Sequence, residues 1–327
     1  MGIHSPIVAS HAWTSQLDEI FRRCQGAYSE LTLSGYRRDL DIFAEWCTEN
    51  HAELLPAQPG AVAQFFDWQL QSNSYATIRR RASAIRFAHK LSDYPCPIQH
   101  SDVFLAMRRA ARTKGRRPRQ VLGLTREILD VILAACPDTL SGTRDAALLS
   151  LGYDTLCRSS ELTLMRAEDV RLDEASIYIP RSKNDPFGDG RFAHIQPSTK
   201  ARLVSWLRQT QIQNGALFRG LHTGGLSARA LDTSSVRRIV KSSAIRAGLF
   251  EEAKALSGHS MRVGAAQDLM AAGFDHLAIM TAGGWKNSSI VARYVENSRT
   301  KELFSNTQHG PGRMMHTRTS IRKTKVR

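Results

Sequence analysis

From Ser29 onward the apolar positions fall into a helical rhythm. Leu33, Tyr36, Leu40, Phe43 and Trp46 recur at steps of three and four, which puts them on one face of a helix ending near Asn50. Pro59 suits the first turn of a second helix with Val62, Phe65, Phe66 and Leu70 inward. Ser74 is placed to cap a third, running to about Leu91 with Ile78, Ala82, Ile85 and His89 on its inner side. A fourth is expected from Ser101 to about Arg112. Four helices on short loops make a small all-helical domain over residues 20–112, preceded by an arm, residues 1–19, with no strong period.

The pattern breaks at Arg108–Arg119, which holds seven basic residues, no acid, one Gly and one Pro. Residues 113–119 therefore read as a basic linker. Residues 120–305 read as a larger, mainly helical domain. Strand-like alternation is confined to Ser176–Pro180 and Arg191–Ile195, with Asn184, Asp185, Pro186, Gly188 and Gly190 between them, so one hairpin with a loose loop is expected. Residues 306–327 form a basic tail expected to be disordered. The fold class is mainly α: two helical domains, the larger with a small β-hairpin.

Charge changes the picture more than composition does. Apolar residues make up 42% of the 327, an ordinary globular share, and no apolar run approaches the roughly 20 residues of a membrane span. The first residues lack an apolar signal core, and the five cysteines are scattered, so a cytoplasmic protein with reduced thiols is expected. Net charge is +15, and 35 of the 45 basic residues are arginines. Arginine clamps phosphates through a planar two-pronged donor set, so the bias points to nucleic acid. Two lobes joined by a basic linker suggest a C-shaped clamp around a duplex.

Two helices carry the basic residues best suited to DNA. On the third, Arg79, Ser83, Arg86 and Lys90 share a stripe away from the apolar face, with Arg80 beside it and no acid from Asn73 to Ser92. The second is the stretch around Arg237, Arg238 and Lys241, acid-free from Thr233 to Leu249. Such a helix fits the major groove, where Arg reads guanine and flanking charges fix register on phosphates. Arg116 and Arg117 of the linker join the candidate contacts.

Single motifs for chemistry are weak. His259-Ser260-Met261-Arg262 is a pattern expected about once by chance, Tyr294 is one of seven tyrosines, and Arg158 could simply pair with Glu161. Order and spacing say more. Arg158 and Glu161 lie where one helix closes and another opens, and Lys183 falls in the hairpin loop. His259 and Arg262 follow one turn apart, then Trp285 after Gly283-Gly284, then Tyr294 nine residues later. This series resembles the tyrosine recombinases, and within them the Cre-type branch. Ser257-Gly258-His259-Ser260, Arg262-Val263-Gly264-Ala265-Ala266 and Ala282-Gly283-Gly284-Trp285 match as whole phrases, and Trp at 285 favours that branch over relatives with His there.

The resemblance implies a catalytic set of Arg158, Glu161, Lys183, His259, Arg262, Trp285 and Tyr294. Tyr294 would be the nucleophile. Arg158 and Arg262, with His259 and the Trp285 indole, would bind the phosphate oxygens. Lys183 would serve as general acid and His259 as general base, while Glu161 orients the site. It also implies a homotetramer on double-stranded DNA, inverted-repeat target sites and strand exchange through a Holliday junction. Residues 301–304 resemble the family's terminal helix, which docks into a neighbouring subunit. Exchanging a phosphodiester for a phosphotyrosine conserves bond energy, and the chain has neither a G-x-x-x-x-G-K loop nor a carboxylate cluster, so no cofactor or metal is expected. A type IB topoisomerase or a non-catalytic DNA-binding protein on the same fold are the alternatives.

Overall fold

Serine side chains start two of the expected helices. The structure, a computed structural model, describes residues 6–115, 120–180, 190–222 and 225–294, and it divides into two compact units, residues 1–119 and 120–327. The first contains α1 (Pro6–Arg23), α2 (Glu30–Glu49), α3 (Pro59–Gln69), α4 (Tyr75–Leu91) and α5 (Ser101–Lys114). Ser29 accepts from the Thr32 N–H at 3.3 Å and Ser74 from the Thr77 N–H at 3.2 Å, so α2 and α4 begin where a short polar side chain can satisfy a free backbone donor. Pro59 opens α3, where its missing N–H costs nothing.

The apolar stripes meet in one core built on Phe43, Phe65, Phe66, Ile78, Ile85 and Val103. Phe43 and Phe65 lie 4.8 Å apart, centroid to centroid. His89, on the inner face of α4, is a core residue: Nδ1 donates to the Ile85 carbonyl at 2.8 Å and Nε2 accepts from the Ala57 N–H at 2.9 Å. Its burial holds the imidazole below its ordinary pKa, which suits a neutral ring with both nitrogens satisfied.

Two boundaries differ from expectation. α1 occupies most of the stretch read as an arm, with Leu17, Ile20 and Cys24 buried. These lie at steps of three and four, but over two turns only, too short a pattern to stand out from sequence. Phe87 is buried among Phe21, Tyr28 and Tyr36, whose ring centroids lie 5.8, 5.3 and 5.0 Å away. α5 runs to Lys114 and ends at Gly115, φ +72°, so it takes two residues read as linker. A run of Arg and Lys favours helix continuation, and the glycine stops it. Residues 116–119, 181–189 and 295–327 lie outside the described residues, and with them Arg116, Arg117, Lys183, the 301–304 segment and the tail.

The second unit contains α6 (Arg126–Ala134), α7 (Leu140–Asp154), α8 (Ser159–Leu164), β1 (Val170–Arg171), β2 (Ser176–Ile179) and β3 (Arg191–His194). After them come α9 (Pro197–Thr210), β4 (Arg219–His222), β5 (Gly225–Ala230), α10 (Thr233–Arg246), α11 (Phe250–Ala255), α12 (Ser260–Ala271) and α13 (His276–Gly283), and residues 288–294 are again helical. α7 and the first two turns of α12 are almost wholly buried and form the centre of the core. Gly264 permits this packing: a Cβ there would fall 1.9 Å from the Leu124 carbonyl oxygen. The expected hairpin is present as β2 and β3, antiparallel, with Ser176 opposite His194 and Ile179 opposite Arg191. Two features were not expected. The two-residue strand β1 joins that sheet beside β2, and β4 pairs with β5 in a second hairpin. The second hairpin is half-exposed or exposed throughout and carries Gly220 and Gly225, so it lacks the apolar alternation that marks a strand.

Candidate active site

Arg158, His259, Arg262, Trp285 and Tyr294 converge in the second unit, each delivered by a different local device. α7 ends at Thr155, and Leu156 then takes a left-handed conformation, φ +51°, which turns the buried chain toward Arg158 at the head of α8. A leucine seldom adopts that backbone, so the surrounding packing must hold it there. Arg158 Nη1 pairs with Glu161 Oε1 at 2.5 Å, while the Arg158 backbone N–H donates to Glu161 Oε2 at 3.1 Å. Glu161 is 2% exposed. It holds both the backbone N–H and the guanidinium of the arginine.

His259 immediately precedes α12, and its backbone is held by Ser257, whose Oγ accepts from the His259 N–H at 3.2 Å. Arg262 lies one turn further. It is 0% exposed, its Nη1 donates to the Leu156 carbonyl, and its Cζ lies 3.9 Å from the centroid of the Trp285 ring. Its Nε and Nη2 are buried with no hydrogen-bond partner among the described residues.

Trp285 reaches this place through two glycines with different tasks. Gly284 closes α13 at φ +64°, and the Trp285 N–H then bonds to the Met280 carbonyl at 2.9 Å. Gly283 leaves room for the indole, since a Cβ there would stand 2.1 Å from the Trp285 ring. Tyr294 is held by its carbonyl, which accepts from Gln267 Nε2 at 2.9 Å and Gln120 Nε2 at 3.3 Å. Its hydroxyl lies 2.6 Å from His259 Nε2.

The electrostatics suit proton removal from the phenol. Burial, then Arg262 and Arg158, push the His259 pKa down to about 4, so the imidazole is neutral near pH 7 and Nε2 can accept the Tyr294 proton. Burial raises the Tyr294 pKa, against the pull of Arg262 and Arg158 toward the phenolate. Burial, then Arg158, lowers the Arg262 pKa to about 10, which leaves it charged at neutral pH. The result is a buried cation with open N–H groups beside a phenol hydrogen-bonded to a base. It can bind an anion and present an oxygen nucleophile to it.

Arg191, which sequence reasoning did not single out, ties three segments of the site together. From β3, Nη2 donates to the Thr155 carbonyl at 2.7 Å and Nη1 to the Ala282 carbonyl at 2.9 Å. These are the ends of α7 and α13, next to the chain leading to Arg158 and Trp285. Gln120 and Gln267 were also missed. Each acts through a single backbone contact, which leaves no mark on sequence.

The candidate DNA contacts divide. On α4, Arg79, Arg86 and Lys90 are exposed, and on α10 so are Arg237 and Arg238, the latter donating to Ser235 Oγ at 2.8 Å. Arg80 is not without an acid partner as expected: it makes a two-pronged bond to Asp39 of α2. The acid lies 41 positions upstream, beyond any helical window. Lys241 also differs. Its Nζ donates to the carbonyls of Ala253 and Lys254 at 2.6 and 3.0 Å, so it caps the end of α11 instead of facing a ligand.

A family model described as the phage integrase family matches residues 123–301, and one described as the phage integrase N-terminal SAM-like domain matches residues 21–91. Recombinase Cre of Escherichia phage P1 is 29% identical over 308 residues, covering 86% of this chain and 88% of Cre. An integrase/recombinase XerD homolog of Selenomonas ruminantium is 30% identical over 288 residues, covering 84% of each chain. Among solved structures, the XerH site-specific recombinase bound to a palindromic difH substrate superposes with a TM-score of 0.68 at 19% identity, over 90% of this chain and 85% of that one. A lambda integrase dimer bound to a COC′ core site superposes with a TM-score of 0.61 at 15% identity, over 86% and 94%. At such identities the structural likeness concerns the fold alone.

Proposed function

The chain belongs to the phage integrase family, the tyrosine recombinases, and from that membership we propose how its residues carry out the reaction. It is a site-specific DNA recombinase, an enzyme that cuts and rejoins DNA strands. The Tyr294 oxygen attacks the scissile phosphorus. A Tyr–O–P bond forms as the bond from phosphorus to the 5′ oxygen breaks, leaving a 3′-phosphotyrosine and a 5′-hydroxyl. His259 Nε2 takes the phenol proton, and Lys183 supplies a proton to the departing oxygen. Arg158 and Arg262 neutralise the non-bridging oxygens as negative charge builds. Trp285 braces the Arg262 guanidinium through its ring face, and its indole N–H is a further donor. Because the phosphotyrosine keeps the bond energy, the 5′-hydroxyl of another strand can reverse the step.

One observation carries this reading: the fully buried Arg262 has two nitrogens without hydrogen-bond partners among the described residues, beside the 2.6 Å His259–Tyr294 pair. Buried donors are normally satisfied, so open ones in this setting are a socket for an anion. The protein would act in the cytoplasm as a homotetramer, each protomer bound to one half of an inverted-repeat site and strands exchanged in two rounds through a Holliday junction. Arg79, Arg86 and Lys90 on α4, with Arg237 and Arg238 on α10, would face the duplex, joined by Arg116 and Arg117.

The test is Tyr294→Phe on a nicked suicide substrate. DNA binding should persist and the covalent protein–DNA adduct, resolved on a denaturing gel, should vanish; an adduct that survives overturns the assignment. Lys183→Ala should slow cleavage of normal DNA but leave cleavage near wild type when the 5′ bridging oxygen is replaced by sulfur, a leaving group that needs no proton. Equal defects on both substrates would exclude Lys183 as the proton donor.

A further inference from the structure

Arg80 stands between exposed Arg79 and buried Arg81 on α4, and its guanidinium is held before any DNA arrives. Asp39 on α2, whose side chain is 0% exposed, accepts from Arg80 Nε at 2.6 Å through Oδ2 and from Nη2 at 2.8 Å through Oδ1. The Arg80 side chain nevertheless stays 55% exposed. A guanidinium carries five N–H bonds in one plane. The Asp39 edge takes Nε–H and one N–H of Nη2. The end-on edge, one N–H from each terminal nitrogen, is left over, and that edge matches the O6 and N7 acceptors of guanine.

We infer that Asp39 is a positioning residue for base reading, fixing Arg80 so that its remaining two-pronged edge selects guanine at one position of each half-site. This rests on the reading of α4 as a DNA-facing element. A solvent-exposed arginine loses side-chain freedom when it docks; one already clamped at a buried carboxylate has lost much of it beforehand. Nor does the carboxylate cancel the attraction of the stripe for phosphate. Arg81, 9% exposed, lies 3.6 Å from Asp39 Oδ1 and adds a second positive charge to the cluster. Its Nε and Nη1 have no hydrogen-bond partner among the described residues, so it offsets the buried carboxylate without displacing Arg80 from it. Two guanidiniums on one carboxylate leave the cluster net positive.

The opposite possibility is that Asp39 competes with DNA for Arg80, and the two differ in sign. The full chain first selects half-sites from a random duplex library. Affinities for single-base variants of the selected site are then measured for wild type, Arg80→Ala, Asp39→Asn and the double variant. Arg80→Ala should lose about tenfold of the preference for guanine at one position. Asp39→Asn should lose most of the same preference at the same position and leave affinity for sites without that guanine unchanged, and the double variant should be no worse than Arg80→Ala. A uniform gain in affinity for Asp39→Asn would make Asp39 a competitor and overturn the proposal. A uniform loss at every position would make it a structural residue and overturn it as well. Should Asp39→Asn fail to fold because Arg81 is stranded, Asp39→Asn with Arg81→Met removes both buried charges and answers the same question. A selected site and a Tyr294-dependent adduct, with guanine preference intact in Asp39→Asn, would sink this inference alone. If no site is selected, the recombinase reading fails with it.

Discussion

Among the described residues, each unit buries one arginine with two unpartnered nitrogens, Arg81 in the first and Arg262 in the second. Burial lowers the pKa of both. What surrounds them differs. Arg81 has the Asp39 carboxylate 3.6 Å away, shared with Arg80. Arg262 has a backbone carbonyl and an indole face, and among the described residues no carboxylate lies within ion-pair distance of it. Glu161, the nearby acid, is engaged by Arg158. A buried cation beside a carboxylate already has its counter-ion and serves the fold. One supported only by a carbonyl dipole and a π face still lacks a counter-ion, and a phosphate can supply it. The same residue type at the same depth is therefore structural in one unit and poised for chemistry in the other, and the placement of one acid decides which.

Substitution should separate the two arginines sharply. Arg262→Ala should slow adduct formation on the suicide substrate by about 10²–10³-fold or more, the cost of losing one preorganised anion donor, with DNA binding retained. A defect below tenfold would break the contrast.

The next effect concerns pH. A group whose folded pKa is depressed favours the native state above its unfolded pKa and loses that advantage as pH falls. For His259, held at about 4 against an ordinary 6.5, the contribution is complete above about pH 6.5 and disappears toward pH 4, by up to ~3 kcal/mol. His89 pulls in the same direction. Unfolding midpoints measured between pH 4 and 7 should therefore fall less steeply for His259→Gln than for wild type. Identical slopes would mean that His259 is not buried neutral, and with that its readiness to take the Tyr294 proton would be lost.

Arg191→Gln should slow adduct formation by about tenfold, because small misplacements of catalytic groups are costly, while leaving duplex affinity unchanged. Arg191→Lys, which keeps the charge but cannot reach both carbonyls at once, should resemble it; full rescue by Lys would show that charge, not bracing, matters. The smallest effect belongs to Arg81→Met. Adduct formation should stay within about twofold of wild type, since replacing a buried charge with an apolar chain of similar volume is often tolerated. A larger kinetic defect would place Arg81 in the chemistry and erase the contrast with Arg262.

Much of this protein can be read along the chain. The four helices from Ser29 to the end of α5, with Ser29 and Ser74 as their caps, follow from apolar periodicity and short polar side chains, which act over three or four residues. The hairpin of β2 and β3 follows from alternation, and the series Arg158, His259, Arg262, Trp285 and Tyr294 is legible through its resemblance to the tyrosine recombinases. The rest depends on partners far apart in sequence. The acid that holds Arg80 comes from another helix, Lys241 caps a neighbouring one, and Arg191 reaches two backbone carbonyls that have no sequence identity at all. Local rules describe what a residue can do for its own turn of chain. Whether an arginine meets a carboxylate, a carbonyl or an open space is settled only when distant segments pack, because charge and hydrogen bonding respond to distance in space, not to distance along the chain.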